Sequence, residues 1–198
     1  HQALGEVVEF EIDAHYNRHK SVAALPYSAT ANVTQSGIIS RPEIEGYSIS
    51  PSVKFRLPAG WEVTARATRA ISDSKIIAEI YSGGTASAVN HVQYKNDLWS
   101  AEFSGEGPLF ALPGGDARLA VGAGLRSNGL DASITRVTAT ATTSLLNYHD
   151  GQTATFAYGE LFLPLVADRS AVPLIRSLQF SGAVRYERYD EIGGLATP

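Results

Sequence analysis

Apolar and polar residues alternate one by one through most of this chain, and a period of two confines it to extended strands with two unlike faces. In the first such run, Val8, Phe10, Ile12, Ala14 and Tyr16 share one face, and Glu9, Glu11, Asp13 and His15 share the other. Tyr47, Ile49, Val53, Phe55 and Leu57 oppose Ser48, Ser50, Ser52, Lys54 and Arg56. Trp61, Val63, Ala65 and Ala67 oppose Glu62, Thr64, Arg66 and Thr68. The pattern returns at Trp99–Ser104, at Ala117–Arg126 and at Leu178–Glu187, and more weakly over 154–163, where both faces are largely apolar. A helix needs apolar residues at three- and four-residue spacing, and none of these runs offers it. The pattern predicts an all-β fold, an antiparallel up-and-down meander of about seven strands.

The connections sharpen this reading. Those at 58–60, 108–116 and 165–177 are short or rich in Pro and Gly, whereas 17–46 and 127–153 read as long polar loops, with a further connection near 82–90. In a meander, alternate connections share one end, so the long loops gather at one end and the tighter turns mostly at the other. Outer-membrane β-barrels have that asymmetry. Tyr47, Trp61, Trp99, Phe103 and Tyr186 lie on the apolar rows near the expected strand ends, where an aromatic girdle belongs. Arg69 continues the apolar row of Trp61 to Ala67, which suits a lipid-facing strand only where it reaches the interface. A passive porin-like or small closed barrel is one rival, and a soluble β-sandwich binding module is another. In a sandwich, the rows Phe10–Tyr16 and Phe180–Tyr186 would be buried against each other.

Composition excludes several classes. No run approaches the roughly 18 apolar residues of a transmembrane helix, and the mean hydropathy of −0.06 is what alternating strands average to. A formal charge of −4 without a basic stripe argues against nucleic acid as a partner. The chain has no cysteine, so thiolate chemistry and disulfides are absent.

Two stretches carry a resemblance. Gly107-Pro108-Leu109-Phe110-Ala111-Leu112-Pro113-Gly114-Gly115-Asp116, followed by Arg118-Leu119-Ala120-Val121-Gly122-Ala123, resembles the "GPLF-LPGG…LAVGAEYR" strand–turn–strand of TonB-dependent receptors. Tyr158-Gly159-Glu160-Leu161-Phe162-Leu163-Pro164-Leu165-Val166, then Leu178 to Glu187, resembles their "AYAEL-LPLV…L-LSGAVRYDDYSDFG" segment. Gly124 stands where that family has an acidic residue, and Arg126 follows. The resemblance implies one partial barrel over 1–198, a middle part of a 22-stranded wall whose plug and closing strand lie elsewhere. It also implies a bacterial outer-membrane location with lipid around the wall, and the plug and the TonB complex as partners. Uptake of a large scarce nutrient, such as a ferric chelate or a glycan, would be the role.

Candidate site residues follow from the faces. Arg66, Arg118, Arg126, Arg185 and Glu102 lie on the charged face, which a barrel turns to its lumen and plug. Arg185 stands out because it falls within the family-like motif. Tyr27, Arg41, Tyr148 and His149 fall in the expected outer loops, where ligand recognition concentrates. His15 and His19 are four apart but in a strand entering a loop, and Asp131, Asp150 and Glu191 lack the carboxylate density of a calcium loop. No serine is paired with a particular histidine. The expectation is therefore no enzyme activity, no cofactor and no metal site.

Overall fold

The structure, a computed structural model, describes residues 2–4, 6–167 and 175–198. Its strands are β1 (Gln2–Leu4), β2 (Val8–Lys20), β3 (Ala23–Pro26), β4 (Ser36–Arg56), β5 (Glu62–Ser82), β6 (Thr85–Leu112), β7 (Gly115–Val137), β8 (Thr142–Val166), β9 (Leu178–Tyr189) and β10 (Gly193–Thr197). They form a single antiparallel sheet in the order β1-β2-β4-β5-β6-β7-β8-β9-β10, with β3 pairing the far end of β4. The meander is as expected, with more and much longer strands than the pattern predicts. The sheet is not closed, since β1 and β10 each pair with one neighbour.

Two expected loops are mostly strand. Residues 17–20 complete β2, and 36–46 form the first half of β4. The stretch 127–153 is the end of β7 and the start of β8, joined only through 138–141. Alternation does persist there, but its phase inverts, and the inversion reads as patternless polarity. Of the expected turn at 165–177, residues 168–174 lie outside the described residues, as does His1. Where tight turns occur, local chemistry explains them. Gly83 and Gly84 both have positive φ, 61° and 83°, which a two-residue hairpin turn with the strand twist requires. Pro58 opens a 3-10 turn, where Ala59 accepts a φ of 62° and Leu57 N–H donates to the Trp61 carbonyl at 2.7 Å.

Register fixes which residues share a rung. One runs Phe10, Val53, Ala65, Phe103, Ala123, Ala157, Tyr186 across seven strands. The adjacent rung on the other face runs Glu11, Ser52, Arg66, Glu102, Gly124, Phe156, Glu187. So the apolar row forms one continuous face and the charged row the other. Further along the strands the arrangement reverses. The face carrying Tyr16 and Tyr47 continues as Arg18, Glu45, Asp73, Lys95, Asp131, His149, while the opposite face becomes Pro42, Ile76, Val92, Ile134, Leu146.

The upper limit of the apolar band is oblique to the rungs. It lies at Tyr16 and Tyr47 on β2 and β4, two residues lower at Trp99 on β6, four lower at Leu125 on β7, and six lower at Tyr186 on β9. Six residues are about 20 Å of strand, and six inter-strand steps are about 29 Å, so the band crosses the rungs at a tilt of roughly 35°. Tyr16, Tyr47, Trp99 and Tyr186 thus mark the edge of a band rather than the ends of strands, which corrects the girdle expectation. Phe103 is four rungs inside that edge. Trp61 marks the lower edge, its ring flat on Gly107 and its Nε1 donating to the Pro108 carbonyl at 3.1 Å.

No second layer covers this face among the described residues. Ile12 is 48% exposed, Phe103 60%, Phe180 57% and Val184 57%. A sandwich would bury these rows, and the rows named above as its test are open. Arg69, the exception in the apolar row, lies beside Trp99 and is bonded to Asp97 through both guanidinium nitrogens, Nη1 to Oδ1 at 2.8 Å. Its charge is matched at the band edge.

Candidate functional site

The charged face of the band carries the densest side-chain network, centred on β6 to β9. Two glycines make room for it. A Cβ on Gly122 would lie 2.4 Å from Tyr158 Cζ, and one on Gly124 would lie 2.6 Å from Phe156 Cζ and 2.5 Å from the Ala101 carbonyl oxygen. Both rings of β8 therefore lie flat across β7. The Tyr158 hydroxyl crosses the whole of β7 to donate to Glu102 Oε1 on β6 at 2.8 Å. Phe156 is only 9% exposed, and the Arg185 guanidinium stacks on its ring at 4.7 Å from the centroid.

Glu187 collects the remaining donors. Arg185 Nε donates to its Oε1 at 2.8 Å, Arg126 Nη2 to its Oε2 at 3.2 Å, and the Tyr189 hydroxyl to the same Oε2 at 2.5 Å. Arg126 also donates to the Tyr189 oxygen at 2.9 Å. Two arginines share the Glu187 carboxylate, and Arg185 is locked by stacking and by bonding at once.

Beside the cluster lies a polar depression of about 330 Å³, lined among others by Glu11, Lys54, Glu62, Arg66, Glu102 and Tyr158. Arg66 and Glu102 are direct cross-strand partners, yet no ion pair closes between them, since Glu102 is engaged by Tyr158. The rim is held by Lys54 to Glu62 at 3.4 Å and by Arg56 bridging Glu62 and Glu9. Such a surface offers fixed donors and acceptors to an extended polar segment or solute. It pairs no nucleophile with a base.

The expected site residues divide accordingly. Arg126, Arg185 and Glu102 meet in one network, and Arg66 borders it. Arg118 stands apart at the lower end, 3.8 Å from Glu106 and half-exposed. The outer-loop group does not converge. Tyr27 is in the connection after β3, its N–H bonded to the Ser36 carbonyl at 3.1 Å. Arg41 is on β4 rather than in a loop, paired with Glu79 at 2.9 Å. Tyr148 and His149 are consecutive in β8, so they face opposite sides: Tyr148 donates to Asp150 at 2.7 Å and His149 contacts Asp131. Their placement in strands corrects the loop expectation, because the phase-inverted alternation extends the sheet through them.

Beyond the band, three carboxyls are held below the usual carboxylate range, Asp150 first by the Tyr148 hydroxyl. Glu79 owes this first to Arg41 and then to the Tyr81 hydroxyl, and Glu43 first to Lys20 and then to Arg18. Sequence reasoning missed Glu187, Tyr189, Tyr158 and Phe156. Glu187 and Tyr189 share the parity of Arg185 along β9, which was the available signal. Gly122 and Gly124 are the seats for two rings. Among the described residues, no three His, Asp or Glu side chains come together to hold a metal ion. Searches of family models, of curated proteins and of solved structures find no match to this chain.

Proposed function

We propose that this chain is wall of an outer-membrane transport barrel of the TonB-dependent receptor type, with the apolar band toward lipid and the charged face toward the lumen. The observation that carries the reading is the oblique, exposed apolar band. A sheet that closes into a barrel must tilt its strands by about 35–45°, so a lipid belt has to cross the rungs at that angle. The tilt of roughly 35° worked from strand and rung spacings falls at that value. Band depth agrees: Tyr47 to Phe55 on β4 and Val8 to Tyr16 on β2 are nine residues each, against the ~9–11 of a tilted spanning strand. The Arg126–Glu187–Arg185 cluster supports the receptor type over a passive barrel, because charged groups fixed on a rigid platform suit a docked polar domain. The family-like motifs point the same way.

The two tryptophans give the test. Trp61 and Trp99 stand at opposite edges of the band. In vesicles made with lipids brominated on their acyl chains, both are expected to be quenched, more by shallow than by mid-chain bromines. Fluorescence untouched by either lipid would refute the wall reading. Conductance then separates receptor from porin: a barrel closed by a plug gives no steady ion current in a planar bilayer, and a passive barrel does.

A further inference from the structure

At and above the band edge, the face that is charged lower down is mainly neutral on β5 to β8. One rung of it runs Ser74, Tyr94, Ala132, Tyr148. The next rung down on this face runs Ser72, Asn96, Leu130, Asp150, and the one after it Ala70, Leu98, Asn128, Gln152. On these rungs of β5 to β8, Asp150 is the one charged side chain. Above them lies the apolar rung of Ile76, Val92, Ile134 and Leu146, and below them Arg126 opens the charged network.

The amides of Asn96 and Asn128 are exposed, and among the described residues neither they nor the Gln152 amide and the Tyr94 hydroxyl make a side-chain hydrogen bond. The reverse face differs: there Arg18 and Lys20 close on Glu43, Gln93 and Lys75 on Asp73, and His149 on Asp131. Asp150 is held in place, since the Tyr148 hydroxyl donates to its Oδ2 at 2.7 Å and the Gly151 N–H to its Oδ1 at 2.8 Å. Tyr148 is 45% exposed, whereas Ala132, between the two tyrosines, is 5% exposed. A depression of about 230 Å³ lies at this level, lined among others by Ser72, Asn96, Leu98 and Asn128.

We infer that this patch receives the transported ligand, and that the ligand is a neutral oligosaccharide. The inference rests on the transport reading above and narrows it. A sugar hydroxyl both donates and accepts, and a side-chain amide does the same, so Asn96, Asn128 and Gln152 can each meet it in either sense. The fixed Asp150 carboxylate is a charge-assisted acceptor for the same hydroxyls. The C–H face of a sugar ring is apolar and packs on an aromatic ring, and Tyr94 and Tyr148 stand on strands about 10 Å apart, on either side of Ala132. An anionic chelate would call for a cation, and these rungs of β5 to β8 hold none; Arg126 below them is engaged by Glu187 and Tyr189. A wholly apolar ligand would cover the amides and leave them without partners, at a cost for each.

The experiment uses the intact native protein in nanodiscs and a panel of neutral oligosaccharides built of glucose, xylose, mannose or galactose, with an anionic ferric tris-catecholate as comparison. Titration calorimetry is expected to show saturable binding of at least one sugar, above the level of empty nanodiscs, and none of the chelate. Asn128→Ala is expected to weaken that binding about fivefold, the loss of one hydrogen-bonding amide. Tyr94→Ala is expected to weaken it by a similar factor, and Tyr94→Phe, which keeps the ring, to restore most of the loss. Lys95→Gln, on the reverse face, is expected to leave it unchanged. Binding of no sugar overturns the inference, as does binding of the chelate in place of a sugar. Equal sugar binding by wild type and by the double variant Asn96→Ala with Asn128→Ala overturns it too. Tryptophan quenching by brominated lipid keeps the two readings apart. Where quenching is seen and no sugar binds, this inference fails alone; where quenching is absent, the wall reading fails with it.

Discussion

Replacing Phe103 by Arg asks directly what covers the apolar face. Phe103 is 60% exposed and four rungs inside the edge marked by Trp99. In water, an exchange at so open a position falls within about 0.5 kcal/mol of neutral. In lipid, an arginine near the middle of a barrel's outer face costs about 2–4 kcal/mol. That range is a factor of some thirtyfold to several hundredfold in the ratio of folded to unfolded protein. The companion variant is Ile71→Arg, on the same face but directly opposite Asp97 at the band edge. Near an interface the same exchange costs only about 0–1 kcal/mol. Urea unfolding from vesicles, followed by tryptophan emission, reads both. A Phe103→Arg cost well above that of Ile71→Arg is expected. Equal costs, or a Phe103→Arg variant as stable as wild type, would show that no lipid lies against this face.

Other changes probe the remaining contacts. Gly122→Ala is expected to cost about 1 kcal/mol, because Tyr158 can swing away and lose its bond to Glu102. Gly124→Ala should cost more, about 1–3 kcal/mol in the same unfolding assay, since its new Cβ meets the Ala101 carbonyl as well as a ring. Asp97→Asn leaves Arg69 unmatched at the band edge and is expected to cost about 1 kcal/mol, whereas replacing both residues by Leu should be neutral or stabilising in vesicles. The depressed Glu79 carboxyl contributes stability that is fully present above the ordinary carboxylate range and is lost as pH falls through its lower folded value. Amide exchange in the Arg41–Glu79 region, corrected for its intrinsic pH dependence, should therefore accelerate as pH falls below the ordinary carboxylate range. Arg41→Gln should remove most of that acceleration.

The strand cores were legible where one face stays apolar over about nine residues, as Tyr47 to Phe55 does. The extensions were not. In β4 the even residues change from Ser52 and Lys54 to Ile38 and Ile44, while the odd residues change from Ile49 and Val53 to Arg41 and Glu43. Each half alternates, but a window that straddles Gly46 sees both phases at once and finds neither. The same mixing hid residues 127–153, where Leu125 gives way to Asp131 on one face and Arg126 to Ile134 on the other. Arg126, Arg185 and Glu102 could be placed on one face from parity alone. Their meeting through Glu187 and Tyr158 could not, because it depends on two rings crossing glycines on a neighbouring strand, and rung alignment between strands is not written in either strand by itself.

The inversion of faces has a consequence for how such a sheet finds its alignment. In a strand of plain alternation, a slip of one residue is punished by turning every side chain over, but a slip of two restores the pattern and goes unnoticed. Here a two-residue slip of β5 on β6 would still match in and out, yet it would shift the boundary by about 7 Å and pull Asp73 or Lys95 toward the apolar belt. Each strand thus carries a mark of depth as well as of side. Neighbouring strands that agree on both have only one mutual position open to them, and an error of any small size is rejected before the next hairpin is added.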